Sequence, residues 1–324
     1  MKTLLTCLLL LISFTSAHGA TRVGKDKLNV VATVPDLAWF AEQIGGDRVT
    51  VTSLAKGTEN LHSLSVRPRT IVTISKADVL LEMGLSLEST WLPELVLTAR
   101  NRKINPGEPG RVICSSGWSA LDVPTSFSRE GGDVHPDGNP HFALSPLAGP
   151  TIARNVLTGL ILNDPKGELV YQKRFDDLSR RLDKSARHWA RYQALFAEAT
   201  CCKKAVVYHM EFDYLLAFLG LETEIAIEPK PGVPPTPNHL AKVISAMRGE
   251  SIPVILTAAW SKNKQVTMVA TKTDAQVLEL PTMVSGADWA SDWFALIDGS
   301  LERIRIGYGL PELVEEPVLG EEPH

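Results

Sequence analysis

The segment 167–200 constrains the fold most, because it contains no proline or glycine after its first residue. Apolar side chains recur along it at helical spacing, among them Phe175, Leu178, Leu182 and Trp189. A continuous helix of this length would extend about 50 Å, at about 1.5 Å per residue. The segment therefore predicts a rigid brace in the middle of the chain, where a flexible Gly/Ser linker would allow free hinging.

On both sides of this segment, short β-rich apolar runs alternate with helical runs, which predicts β-α crossovers and parallel sheets. The strands predicted before it are 28–34, 49–54, 79–82 and 111–115, with helices at 35–45, 68–76 and 92–99. The strands predicted after it are 205–208, 224–227, 253–256 and 276–280, with helices at 212–219, from 236, near 264–270 and from about 289. Two α/β lobes, 28–163 and 201–308, are expected on either side of a linking helix at 164–200.

The first nineteen residues read as a secretory signal peptide: Lys2, an apolar run, and then small residues up to Gly19. Cys7 lies inside the apolar run and not at the cleavage site, so a free periplasmic product is expected rather than a lipoprotein. No later stretch approaches the roughly 18 apolar residues of a membrane span, so membrane insertion of the mature chain is not expected. The acidic, Pro-containing tail 309–324 is expected to be disordered.

Net charge and cysteine content bear on possible binding partners and on disulfide formation. A net charge of −4 gives no basic footprint for nucleic acid. After cleavage, Cys114, Cys201 and Cys202 remain, and a disulfide from Cys114 to either neighbour is conceivable in an oxidising compartment. Small buried hydrophobic residues are the favoured interpretation of these cysteines.

Three of the eight histidines follow predicted strands, at the edge where open α/β sheets bind ligands. His62 lies in the loop after the second strand, His209 directly ends the fifth, and His141 precedes Ser145-Pro146, a pair that predicts a helix start. Three neutral imidazoles with room for a fourth ligand suit Zn²⁺. They can meet only if the two lobes face each other.

Several stretches resemble the zinc/manganese solute-binding proteins of bacterial ABC transporters, over nearly all of residues 28–308. The matching stretches are 57–62 with Arg67-Pro68, 75–79, 84–88, 91–93, 139–146, 208–221 and 228–232. The resemblance implies two four-stranded parallel lobes joined by one long rigid helix, with the metal in the cleft between them. It also implies that His62, His141 and His209 are metal ligands. Histidine at the third position is more typical of the zinc binders than of the manganese binders, which tend to have a carboxylate there.

The chain departs from the family pattern where a fourth ligand is often found. An Asp-Pro pair near the last strand is replaced by Leu280-Pro281, and leucine cannot ligate. The fourth position is therefore open to Glu228, Glu279, Glu59 or a water. Glu228 closes a strand before a stiff Pro-rich loop and could point into the cleft, or could brace that loop by a hydrogen bond. Strand alternation would send Glu279 to the other face.

The loop 131–138 carries Asp133 and His135 shortly before His141. These two side chains could bind a second ion weakly, or the loop could simply be solvated. Solvation is the favoured interpretation.

Together these features predict a binding protein without chemistry of its own, not an enzyme. It would capture zinc, with Mn²⁺ as the alternative, as a monomer in the periplasm, and deliver it to an ABC permease with its ATPase. Three alternatives stay open: a metal chaperone or surface adhesin, a carrier of a chelated metal or tetrapyrrole, and a zinc hydrolase. The last would need a positioned base such as that of a His-Glu-x-x-His helix, and this motif is missing from the sequence.

Overall fold

Two parallel sheets of the same topology form the molecule. The computed structural model describes residues 27–64, 67–124, 135–200, 203–230 and 232–313. In this part of the chain the first sheet has the order β2-β1-β3-β4 and the second has the order β6-β5-β7-β8. The first comprises β1 (Leu28–Ala32), β2 (Val49–Ser53), β3 (Val79–Glu82) and β4 (Arg111–Ile113). The second comprises β5 (Lys204–Val207), β6 (Glu222–Ala226), β7 (Val254–Ala258) and β8 (Gln276–Leu280).

Helices cover both faces of each sheet and make the parallel crossovers. They are α1 (Pro35–Gly45), α2 (Pro68–Ser75), α3 (Leu92–Ala99), α4 (Gly149–Asn163), α5 (Glu168–Glu198), α6 (Asp213–Phe218), α7 (Pro237–Gly249), α8 (Lys264–Thr273) and α9 (Trp293–Gly307).

Helix α1 shows why proline and glycine in the sequence predict where a helix begins and ends. Pro35 occupies the first turn, where a missing N–H costs nothing, and Gly46 ends the helix at a φ of 50°.

The predicted brace is the 31-residue helix α5, which at about 1.5 Å per residue extends about 47 Å. A single buried cluster includes residues of both sheets, such as Val30 and Leu256, together with Trp189 of α5. The Trp189 ring packs edge-on against Trp293 of α9 with ring centres 5.6 Å apart. Because α5 shares this core with both sheets, the two lobes are joined through packed side chains and not through a loop.

Two helix starts differ from the prediction. The Ser145-Pro146 pair does not open α4: Ser145 Oγ accepts from Leu147 N, and the helix begins at Gly149. The last helix begins at Trp293 and not near Trp289, because the Asp292 side chain accepts from Ala295 N and caps it there. Close packing at Gly149 accompanies the start of α4, whereas the Asp292 cap marks the start of α9.

Other predictions concern the termini and the cysteines. The predicted signal peptide, residues 314–324 of the predicted tail, Cys201 and Cys202 lie outside the described residues. Cys114 is a buried thiol whose pKa is raised by burial. Among the helices that the structure describes, none combines the length and apolar character that crossing a bilayer requires.

Candidate metal centre

The three histidines predicted as ligands come together between the two sheets. One potential ligand atom from each of His62, His141 and His209 lies within 4.8 Å of the other two. The Nε2 atoms of His62 and His141 are 3.2 Å apart. Two nitrogens bound to one tetrahedral zinc at about 2.0–2.1 Å are separated by about 3.3 Å, so this pair is already spaced for a shared ion.

The backbone at His62 is fixed by neighbouring side chains. A short 3-10 turn, Leu61–Ser63, follows β2, and its N-cap residue Asn60 accepts from His62 N at 2.9 Å. Thr90 donates to the carbonyl of His62, and the indole of Trp91 donates to the carbonyl of Leu61, both at 3.0 Å. Three hydrogen bonds therefore hold the main chain at His62 in place at the carboxyl end of the first sheet.

Asn139 positions His141 and also connects the lobes. Its side-chain oxygen accepts from His141 N at 3.0 Å, and its amide nitrogen donates to the carbonyl of Met210 at 2.8 Å. Met210 directly follows His209, so one buried asparagine links the chain segments that carry two of the three histidines. Asn139 lies within the Asn-Pro-His stretch of the sequence, for which no role of the asparagine was predicted. Its signal was that motif, since a short amide before a histidine favours such a turn.

The carboxylate of Glu228 contacts His209 directly. Backbone pairing places Glu228 beside β5, where its N–H donates to the carbonyl of Tyr208 at 2.8 Å. Its Oε2 lies 2.7 Å from Nδ1 of His209, and its Oε1 accepts from Gly232 N at 3.1 Å. Glu228 thus both orients the imidazole and braces the following loop. With Nδ1 bound to this carboxylate, Nε2 of His209 is the nitrogen available to a metal.

The other residues considered for the fourth position are placed differently. Glu59 accepts from Lys56 N at 2.8 Å through its side chain. Glu279 is exposed on β8 between the buried Leu278 and Leu280, as strand alternation predicts. His135 lies beside His62, with ring centres 5.1 Å apart. Asp133, the other half of the predicted second site, lies outside the described residues.

Burial keeps two of the three imidazoles neutral. Burial and then the nearby His209 and His135 lower the pKa of His62 to about 3. Burial, reinforced by the other histidines of the cluster, lowers the pKa of His141 well below its usual range. Neutral imidazole is the form that binds metal, so both rings are ready to ligate at neutral pH.

His209 behaves differently because carboxylates surround it. Burial by itself would lower its pKa, but the hydrogen bond to Glu228 raises it, and the net shift is upward. The charges of Glu211 and Asp213 act in the same direction. Glu211 and Asp213 are buried and were not singled out in the sequence, because acidic residues two and four positions after a histidine carry no distinct signal. His209 is therefore the one imidazole of the three whose protonation is favoured relative to a free imidazole.

Replacing Glu228 by glutamine should change how zinc affinity depends on pH. In the wild type one proton, that of His209, competes with zinc as the pH falls below the raised pKa of this ring, so log Kd should vary with pH there with a slope near one. Glutamine removes the charge that raises the pKa of His209, so the loss of affinity should begin at lower pH. Affinity at pH 8 should fall by roughly ten- to a hundredfold, because the ring loses its anionic partner.

Zinc titrations against a competing chelator from pH 5 to pH 8 measure both effects. Glu279→Gln is the matched control, since that carboxylate is exposed on β8, on the face opposite to the buried Leu278 and Leu280. A slope near three in the wild type, or an unchanged pH profile in Glu228→Gln, would contradict the assignment.

Comparison with known proteins identifies the family. The profile of the family described as "ZnuA: Zinc-uptake complex component A periplasmic" matches residues 30–307. The chain belongs to this family. Membership makes it a metal-binding, substrate-binding protein of the ABC-transporter type.

Two relatives cover most of the chain. The manganese ABC transporter substrate-binding lipoprotein PsaA of Streptococcus anginosus is 23% identical over 320 residues, 95% of this chain and 99% of that protein. The iron-binding protein YfeA of Yersinia pestis is 25% identical over 293 residues, 87% of each chain. The names of these relatives specify different metals.

Solved structures agree with the fold. A crystal structure of ZnuA superposes with a TM-score of 0.72 at 19% identity, covering 87% of this chain and 100% of that one. The Mn-bound periplasmic metal-binding protein from Candidatus Liberibacter asiaticus gives a TM-score of 0.69 at 21% identity, covering 86% and 98%. The two-lobed α/β fold with its linking helix is the fold of these proteins.

Proposed function

We propose that this protein captures one zinc ion between its lobes, on His62, His141 and His209, and delivers it to an ABC permease driven by its ATPase. The observation that carries the proposal is the mutual approach of three imidazole nitrogens within 4.8 Å. No covalent step is involved: the ion is the cargo, and the protein binds and releases it. Signal-peptide cleavage would place the mature chain in the periplasm, where we expect it to act as a monomer.

The donor set supports zinc as the cargo. Two of the three imidazoles are held neutral, and nitrogen donors suit Zn²⁺, whereas Mn²⁺ is better matched by carboxylate, carbonyl and water oxygens. Manganese remains the alternative cargo, because relatives in the family are named for manganese and for iron.

The size of the cavity supports a bare ion over a chelated one. The space lined by His135, His141, His209 and Glu228 has a volume of about 160 Å³. Sites for small organic ligands usually enclose roughly 300–1,000 Å³. A tetrapyrrole or a metal chelate therefore fits this cleft less well than an ion with a few waters.

A zinc hydrolase is the rival from another class, and the position of Glu228 argues against it. A general base must reach the metal-bound water, whereas this carboxylate is hydrogen-bonded to a ligand ring and to Gly232 N. A periplasmic metal chaperone or a surface adhesin would use the same three histidines without a permease.

Metal analysis tests the proposal. Protein purified without chelator should contain about one zinc per chain, and zinc should displace Mn²⁺ and Fe²⁺ in competition. Most nitrogen sites bind zinc more tightly than manganese in vitro, whichever metal is transported. The metal that the protein transports in the cell is therefore tested by growth of a deletion strain. A strain lacking the gene should fail in zinc-depleted medium and recover with zinc but not with manganese; recovery with manganese alone would overturn the choice of zinc.

A further inference from the structure

A cavity in the first lobe lies apart from the proposed metal centre. It has a volume of about 280 Å³ and lies between the end of β2, the loop that leads to His62 and the start of α2. Within the part of the chain that the structure describes, it has no lining residue in common with the cavity of the metal centre. Three cationic side chains line it, those of Lys56, Arg67 and Arg69. The proposed zinc site uses none of them.

These three cations lack a carboxylate partner among the described residues. Elsewhere in the chain, Arg48 is paired with Asp164 at 2.5 Å and Arg111 with Glu82 at 2.6 Å. Three like charges around one cavity repel each other, and nothing in the described structure offsets this repulsion. The positive potential that results attracts an anion into the cavity.

The charge around the cavity indicates which anion fits. Glu59 is the only acidic residue that lines the described part of the cavity, and its Oε2 accepts from Lys56 N at 2.8 Å. This carboxylate is therefore bound to the main chain and not to a cationic side chain. Three positive charges and one negative charge leave a net charge of +2. A phosphate group, which carries roughly −1.5 to −2 at neutral pH, matches this charge.

The walls of the cavity also provide hydrogen-bond donors for an oxyanion. Helix α2 begins at Pro68 with no side-chain cap and no acidic residue in its first turn, so its free N–H groups and its dipole add positive potential. The hydroxyl groups of Thr52 and Thr70 line the same space. Guanidinium groups bind phosphate oxygens through two parallel N–H bonds. The donor set therefore suits phosphate in geometry as well as in charge.

The size of the cavity limits the ligand. Its volume of about 280 Å³ lies below the roughly 300–1,000 Å³ that is usual for sites of small organic ligands. An ion with a few waters, or the head group of a larger molecule, fits this space better than an extended organic molecule does.

We propose that Lys56, Arg67 and Arg69 bind a phosphate group, supplied either as free phosphate or as the head group of an anionic lipid. The site lies at the carboxyl end of β2, the same end of the first sheet as the turn that carries His62. A lipid phosphate held there turns the cleft toward the membrane that contains the permease. This orientation rests on the proposed function, whereas phosphate binding itself does not.

Calorimetric titration of the metal-free protein with inorganic phosphate at pH 7.5 and constant ionic strength tests the site. The wild type should bind a single phosphate. The double variant Arg67→Gln/Arg69→Gln should bind it at least about tenfold more weakly, because two exposed charge-assisted contacts are lost. Arg154→Gln/Arg187→Gln is the matched control, since it removes two exposed arginines of α4 and α5 and should bind as the wild type does.

Sedimentation with vesicles identifies the source of the phosphate group. Phosphatidylcholine vesicles that contain phosphatidic acid should retain the wild type but not the double variant, and inorganic phosphate should release the retained protein. Vesicles of phosphatidylcholine alone should retain neither. Binding of inorganic phosphate without retention on the vesicles would support the site with free phosphate as its ligand, and would overturn the orientation at the membrane.

The proposal is wrong if chloride at the same ionic strength gives the same titration as phosphate, or if the double variant binds phosphate as the wild type does. The melting temperature and the zinc affinity of the double variant should equal those of the wild type, which shows that a loss of phosphate binding is local. Because the titration uses metal-free protein, a failure of phosphate binding leaves the proposed function standing.

Discussion

Alanine at position 62 is expected to weaken zinc binding by about a hundred- to a thousandfold. Structural zinc sites with four ligands contribute roughly 10–16 kcal/mol at neutral pH, so one ligand accounts for roughly 2.5–4 kcal/mol. Each 1.4 kcal/mol or so corresponds to a factor of ten in Kd. His62 contacts both other imidazoles, with ring centres 5.2 Å from each, so no neighbouring ring can replace it without moving.

Chelator competition at pH 7.5, with His188→Ala as the control, would measure this loss. Folding of the variant can be checked independently, because the folded-state pKa of His62, about 3, lies below its ordinary 6.5. Between these values the unfolded chain binds the extra proton, so this group costs the metal-free wild type stability as pH falls from 6.5. Metal-free His62→Ala should therefore lose less stability than the wild type between about pH 7 and pH 5. A variant with wild-type zinc affinity would remove His62 from the site.

The alternation of strands and helices could be predicted because it depends on local composition. Gly45-Gly46 ends α1 and the Pro- and Gly-free segment forms α5, both as local rules require. Strand β8 was predicted with its observed bounds, 276–280. Each of these elements is decided by residues within a few positions of itself.

The start of α4 could not be placed in that way because packing decides it. A Cβ on Gly149 would lie 2.5 Å from Leu182 of α5 and 2.9 Å from Trp293 of α9. Helix α4 therefore begins where its backbone can lie against two other helices, and the capping signal at Ser145 serves a local turn instead. The correct start of α9 was accessible, since Asp292 is a good N-cap before an apolar run.

In the candidate site, too, some features could be predicted from the sequence and others depend on tertiary packing. The sequence predicted which three histidines would lie at the ends of strands, because sheet topology brings those ends together. It could not predict that Glu228 contacts Nδ1 of His209, since that depends on the register between β5 and β6. Nor could it predict that the His135 ring lies beside that of His62, because their distance depends on a turn held by Ser86 and Leu121.

Alanine in place of Gly57 should disturb the metal site through a contact with the segment that follows β8. The loop after β2 runs through Gly57 to His62, and it lies backbone to backbone against residues 284–286 that follow β8. A Cβ on Gly57 would lie 2.3 Å from Val284 O and 2.4 Å from Gly286 N. The same segment is held by Asp36, a fully buried carboxyl group whose Oδ2 accepts from Val284 N at 3.3 Å, and burial raises its pKa to about 7. The added methyl group meets main-chain atoms that cannot rotate away.

We expect Gly57→Ala to lower the free energy of unfolding by about 1–3 kcal/mol, the usual cost of overpacking. At roughly 2–4 °C per kcal/mol, the melting temperature should fall by roughly 2–12 °C. Zinc affinity should fall as well, because relief of the clash moves the loop that carries His62 away from His141 and His209. Gly249→Ala is the matched control, since a Cβ there meets nothing within 4 Å. Thermal melts with and without zinc separate the two effects. An equal fall in melting temperature in both states would mean that the loop moved without displacing His62. The expected result is a larger fall in the zinc-loaded state, because the fixed geometry of the ion makes the approach of the two lobes at Gly57 a condition of binding.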